Sequence, residues 1–205
     1  MAPAKESARE KLIGAAVKVV REKGFNATSV DDLCREAGVT KGAFFHHFPT
    51  KTDLGVAAAE AWKLHANGLF GSAPYMAHED PLDRVLGYLE FRRDMLEGPV
   101  PEFTCLAGTM VQESYETLPA LRDACHDSIW GHGLTLVPDI EAARKRHGIN
   151  GDWTSESLAL HFQAVLQGAF ILAKADHGAK AARDTADHLI RYVRMLFNLP
   201  PEKEA

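Results

Sequence analysis

The sequence predicts an all-α protein in which an N-terminal three-helix helix-turn-helix domain, residues 1–51, is followed by a larger helical domain, residues 52–205. Three observations predict it. Apolar residues recur at helical spacing in nearly every segment, and no alternating run bounded by turn residues reads as a strand. The charge is also divided: residues 1–51 hold 9 Lys and Arg against 6 Asp and Glu, whereas the remainder holds 14 against 22. A basic head on an acidic body is hidden in the overall charge of −5.

Leu12, Ile13, Ala16, Val19 and Val20 form one stripe of a first helix, and Gly24 is placed to end it. Thr28 or Ser29 can cap a short second helix that buries Val30, Leu33, Cys34 and Ala37, with Asp31 and Asp32 near its positive end. Gly38 closes it. Thr40 starts a third helix that runs to about His47, where Pro49 stops it. Thr50 and Asp53 form a capping box for a long fourth helix, Lys51 to roughly Leu69, which joins head to body without a flexible linker.

Breakers at Gly71 to Pro74, Gly98 to Pro101, Pro119 and Gly148 to Gly151 divide the body into helices of about 15 to 25 residues. Pro138 is expected to kink the helix between Pro119 and His147. The last two helices have the clearest period, with Leu158, Phe162, Val165, Leu166, Ala169, Leu172 and Ala173 on one and Ala186, Leu189, Ile190, Val193, Leu196 and Phe197 on the other.

The composition excludes several function classes. At 46% apolar residues a real core is expected, yet apolar stretches are broken well before a membrane span and Met1 to Glu10 has no signal-peptide core. A cytoplasmic protein without a membrane partner is expected. Cys34, Cys105 and Cys125 form no CxxC pair, so reduced thiols are expected rather than a disulfide framework or a zinc ribbon. Cys125 and His132 share a helix face but lie about 10 Å apart along it, too far for one ion. There is no Gly-x-Ser-x-Gly, P-loop or Gly-x-Gly-x-x-Gly, and neither catalytic residues, metal nor cofactor are expected.

Two short helices joined by a glycine turn form the layout whose second helix enters a DNA major groove. Here that helix reads Thr-Lys-Gly-Ala-Phe-Phe-His-His from Thr40 to His47. A hydroxyl, a cation and two imidazoles suit phosphates and base edges, small Gly42 and Ala43 allow close approach, and Phe44 and Phe48 suit the core beneath.

From Arg9 to about Leu54, and throughout "AAVKVVREKGFNATSVDDLCREAGVTKGAFFHHFPTKTDL", the chain resembles the tetracycline-repressor (TetR) family of regulators. The joint spacing of Gly24-Phe25, Thr28-Ser29-Val30, Ala37-Gly38-Val39, Lys41-Gly42, His47-Phe48 and Lys51 makes the resemblance specific. It implies Thr28 and Lys51 near phosphates at helix ends, Thr40, Lys41, Gly42 and Ala43 at the groove, and His46 and His47 beside the backbone, with Ser29 a further DNA-binding candidate. Phe45 stands where the family usually has a tyrosine, so one hydroxyl that could donate to a phosphate is missing.

The resemblance further implies that the body is a helical effector-binding and dimerisation domain. The expected partners are a double-stranded DNA operator, a second copy of the chain docked through the last two helices, and a small-molecule effector. Small Ala159, Ala164, Gly168 and Ala169 suit close packing of the penultimate helix. Trp62, His65, Tyr88, Phe91, Cys105, Met110, Trp130, Phe162, Gln163 and Gln167 are the candidate effector-binding residues. Cys105, in "FTCLAGTMVQE", is similar in setting to a thiol of electrophile-sensing relatives within the family. The expected function is a sequence-specific transcription regulator, a repressor released from a palindromic operator by the effector. The alternative is a dimeric helical ligand-binding or protein-interaction module that no longer reads DNA.

Overall fold

The computed structural model describes residues 6–200. Among them are eleven α-helices and no strand: α1 (Ala8–Lys23), α2 (Val30–Ala37), α3 (Lys41–His47), α4 (Lys51–Gly71), α5 (Pro81–Asp94), α6 (Val100–Phe103), α7 (Leu106–Ser114), α8 (Pro119–Leu134), α9 (Val137–Arg146), α10 (Ser155–Asp176) and α11 (Lys180–Leu196). A single 3-10 turn, Pro74–Ala77, precedes α5.

The head helices begin and end where local chemistry dictates. Ser29 accepts from the Asp32 amide while the Asp32 carboxylate accepts from the Ser29 amide, a reciprocal cap on α2. Gly38 ends α2 at φ 63°, a left-handed conformation that glycine adopts without steric cost. Thr40 caps α3 through the Ala43 amide, and Thr50 and Asp53 cap α4 reciprocally.

The chain forms two compact units. The first contains residues up to Ala66 together with Thr104–Ile129, and so takes in more than the expected head of residues 1–51. Its core joins Leu12, Val20, Phe25, Leu33, Phe44 and Leu54 to Met110, Leu121 and Cys125, from α7 and α8. Each fully buried Leu or Phe contributes about 1.5–3 kcal/mol of hydrophobic free energy, so the later segment is a substantial part of what holds this unit. Polar ties reinforce it. Arg21 Nε donates to the Thr104 carbonyl at 2.9 Å, and the Asn26 amide donates to Glu113 Oε2 at 2.7 Å.

The second unit contains Asn67–Phe103 and the chain from Trp130 onward. In it α5 packs on α9 and α11, and α10 packs on α9 and α11. Leu82, Val85, Tyr88, Leu89, Ile140, Phe162, Leu166, Leu189 and Val193 form its interior. α4 and α8 each supply residues to both units.

Two expectations are corrected here. Pro138 does not kink one helix; the chain breaks at Thr135 and Leu136, and Pro138 sits in the first turn of α9, where a missing N–H costs no helical hydrogen bond. The body helices are also less uniform than expected, since α6, α7 and α9 have only 4, 9 and 10 residues. At 22 residues, α10 is long and apolar enough to cross a membrane by length and composition, but 44% of its apolar window is buried inside the protein. The helix spends that face on α9 and α11.

Candidate functional site

The short helix α3 presents one face outward because the other is anchored. Phe44 is completely buried and Phe48 nearly so, and their rings pack 6.2 Å apart in the first unit's core. Thr40, Lys41, Gly42 and His46 are consequently exposed, Ala43 and His47 are half-buried, and Phe45 is 55% exposed. These seven residues lie along α3 around the position anchored by Phe44. An exposed aromatic of this size has no core role there, and it stands among groups that can donate to phosphates and base edges.

The surface is electrostatically tied to α2. Lys41 Nζ lies 2.9 Å from Asp31 Oδ1, and this hydrogen bond holds the ammonium above its ordinary pKa. Ser29 is exposed at the α2 cap, beside Asp32, whose carboxyl is held well below the usual range, first by its hydrogen bond to Lys23 and then by those to Ser29.

Thr28 and Lys51 are placed differently from their neighbours. Thr28 is 2% exposed, and its hydroxyl donates to the Gly24 carbonyl at 2.6 Å. Lys51 Nζ donates to the carbonyls of Phe25 and Thr28, each at 2.9 Å, and sits 4.4 Å from the centre of the Phe25 ring. Burial lowers its pKa, with the Glu113 carboxylate acting in the opposite sense. Both side chains thus brace the turn between α1 and α2.

The ten candidate effector residues are divided between the two units. Trp62, His65, Cys105 and Met110 lie in the first unit. There Arg21 stacks over Trp62 at 4.7 Å, the Trp62 and His65 rings are 6.1 Å apart, and Met110 is fully buried in the core. Cys105 is the N-cap of α7, its sulfur accepting from the Gly108 amide at 3.4 Å.

Tyr88, Phe91, Trp130, Phe162, Gln163 and Gln167 lie in the second unit. That unit contains a cavity of about 150 Å³, lined by Asn67, Phe70, Gly71, Tyr75, Met76, Arg84, Tyr88, His132, Thr135, Leu136 and Asp139. Of the expected set only Tyr88 lines it. Gln163 reaches it indirectly by donating to Tyr88 Oη at 3.3 Å, and the Phe91 ring supports those of Phe70 and Tyr75 at 5.8 and 5.9 Å. Phe162 is completely buried, Trp130 is 46% exposed, and Gln167 is half-buried.

The sequence reasoning missed the cavity's polar residues. Arg84 donates to Asp139 Oδ1 through Nε at 2.9 Å and Nη2 at 2.7 Å, and the pairing raises its pKa. His132 is 6% exposed; burial, followed by the charge of Arg92, pushes its pKa down to about 3. A signal for it existed: Leu121, Cys125, Ser128 and His132 form the buried stripe of α8, and a titratable ring on such a stripe marks a polar site inside the fold. Among the described residues no group of three His, Cys, Asp or Glu side chains is placed to hold a metal ion.

Residues 12–58 match the family described as "Bacterial regulatory proteins, tetR family". The chain is 30% identical over 180 residues to the transcriptional regulator AcuR of Cereibacter sphaeroides, covering 84% of this chain and 79% of that protein. Among solved structures, a TetR-family regulator from Agrobacterium tumefaciens superposes with a TM-score of 0.79 at 17% identity, over 90% of this chain and 96% of that one. The regulatory protein TetR from Rhodobacter sphaeroides does so with a TM-score of 0.79 at 24% identity, over 90% and 98%. At these identities the two structural likenesses are of fold.

Proposed function

The chain belongs to the tetR family of bacterial regulatory proteins and is a DNA-binding transcription regulator rather than an enzyme; on that premise we propose that it is a homodimeric repressor released from a palindromic operator by a small-molecule effector. The observation that carries the reading is the outer face of α3, where Thr40, Lys41, Gly42, Ala43, Phe45, His46 and His47 stand together over a core anchored by Phe44 and Phe48. Lys41 and Thr40 meet the major groove at the helix start, Ala43 lies close to the base edges, and the histidines contact the backbone beyond. Thr28 and Lys51 support this head from within.

Dimerisation through α10 and α11 is supported by apolar side chains that their own unit leaves uncovered. Ile171 and Leu172 on α10 are each 49% exposed, and Tyr192 and Met195 on α11 are 42% and 74% exposed. A two-fold dimer presents two α3 helices to half-sites about 34 Å apart. The cavity of the second unit takes the effector, and the continuity of α4 and α8 through both units supports a route by which its occupancy shifts the population away from the DNA-competent form.

The test is operator selection from random duplexes at low salt, where phosphate binding is strongest. Enrichment of a palindrome is expected. Recovery of none would favour the alternative, a helical ligand-binding or interaction module that no longer reads DNA, for which the engagement of both Lys41 and Lys51 with protein partners is the supporting observation.

A further inference from the structure

The cavity of the second unit is lined by a buried imidazole with one nitrogen that has no hydrogen-bond partner. Tyr88 Oη lies 3.1 Å from His132 Nε2 and accepts from Gln163 Nε2 at 3.3 Å. Tyr88 has one proton to give. With the Gln163 amide oriented as it is, an imidazole hydrogen on Nε2 would leave Tyr88 Oη facing two donors and its own proton without an acceptor. With Tyr88 donating to Nε2, the tyrosine, the amide and that nitrogen are all satisfied, which places the hydrogen of the neutral ring on Nδ1. His132 Nδ1 has no hydrogen-bond partner, although the side chain is more than nine-tenths buried. The nitrogen is closed off from bulk solvent and its ring lines the cavity, so a group entering the cavity is a partner within its reach.

Charge narrows the class of ligand. Arg84 spends Nε and Nη2 on Asp139 and donates through Nη1 to the His78 carbonyl at 2.8 Å, so the one cation and the one carboxylate in the lining answer each other. The other nearby cation, Arg92, lies over the Phe70 ring at 5.2 Å and does not line the cavity. The lining itself therefore offers a charged ligand no unpaired counter-charge. Size and shape narrow it further. The rings of Phe70 and His132 are 4.7 Å apart, those of Phe70 and Tyr88 5.5 Å and those of Tyr75 and Tyr88 6.1 Å, around a volume that suits about one aromatic ring.

We propose that the cavity takes a small uncharged ring compound with one hydrogen-bond acceptor, and that His132 Nδ1–H is the donor that recognises it. The inference rests on the reading that this cavity is the effector site. His132 then selects for the acceptor, while Phe70, Tyr75 and Tyr88 select for a flat apolar body.

Three compounds of nearly the same size and shape separate the possibilities: acetophenone, α-methylstyrene, which replaces the carbonyl oxygen by CH2, and benzoate. Calorimetric titration of the full chain should show acetophenone binding about tenfold more tightly than α-methylstyrene, with benzoate weakest. His132→Phe should remove the preference for acetophenone over α-methylstyrene. Imidazole nitrogen NMR of the unaltered protein keeps the proposal falsifiable if that variant does not fold, because the His132 proton must be on Nδ1 and must shift when acetophenone is added. Equal binding of acetophenone and α-methylstyrene, preference for benzoate, no binding of any of the three, or a proton on Nε2 would overturn it. Fluorescence anisotropy of the selected operator is read separately: selective binding that leaves the DNA complex intact refutes effector-controlled release and leaves the His132 assignment standing.

Discussion

Lys41, the first residue of α3, is held by Asp31, the second residue of α2, across 2.9 Å. Both side chains are more than half exposed, so the pair adds little to stability, yet it places a carboxylate beside the cation proposed to meet DNA. Asp31→Asn is therefore expected to raise affinity for duplex DNA by about threefold at low salt, through lost repulsion and a freed Lys41. Anisotropy titrations check it, and the gain should shrink as salt rises. Lys41→Ala should lower affinity and alter the selected sequence.

Lys51 gives a contrasting prediction because its ammonium is bonded to the Phe25 and Thr28 carbonyls. Lys51→Met keeps the aliphatic stem but removes both charge-assisted bonds, and should destabilise the chain by about 2 kcal/mol in denaturant unfolding. The slope of log affinity against log salt should stay as in the unaltered protein. A slope smaller by about 1 would mean that the ammonium leaves the turn to bind a phosphate.

His132 makes stability depend on pH in a defined window. Its folded pKa, about 3, lies below the ordinary value of 6.5, so between these values the unfolded chain binds a proton that the folded chain refuses. Its contribution is fully present above pH 6.5 and is lost as pH falls towards 3, with a slope approaching about 1.4 kcal/mol per pH unit. Unfolding should be followed between pH 6.5 and about 5.5, above the range in which most carboxylates begin to protonate. His132→Phe should flatten the dependence there, and an unchanged slope would show that the ring is not buried neutral.

The α10 and α11 surface predicts the oligomeric state. Ile171→Glu puts a carboxylate on an exposed apolar position and should leave the fold intact while raising the dimer dissociation constant by about a hundredfold. Sedimentation at micromolar concentration should then show monomer, and operator affinity should fall because half-sites are bound singly.

The helices of the head were legible in the sequence because their limits depend on neighbours three or four residues away. Ser29 with Asp32, Thr40 with Ala43 and Thr50 with Asp53 satisfy helix ends that any chain must satisfy, and Gly38 takes the left-handed turn that other residues avoid. The spacing of Phe44 and Phe48 likewise fixed which side of α3 faces inward. Pro138 was harder to read because proline permits two outcomes, a kinked helix or the first turn of a new one, and the sequence does not rank them.

What the sequence alone determined is therefore the all-α class, the caps and buried face of the helix-turn-helix, and through their spacing the family. Tertiary structure decided where the remaining polar groups work. Asn26 meets Glu113 87 residues later, and Tyr88 meets His132 and Gln163 across 44 and 75 residues. Periodicity reports that a residue faces inward but not what it faces. Lys51 became a brace, Met110 core and His132 a buried neighbour of Tyr88 because each found its surroundings only when distant helices packed together.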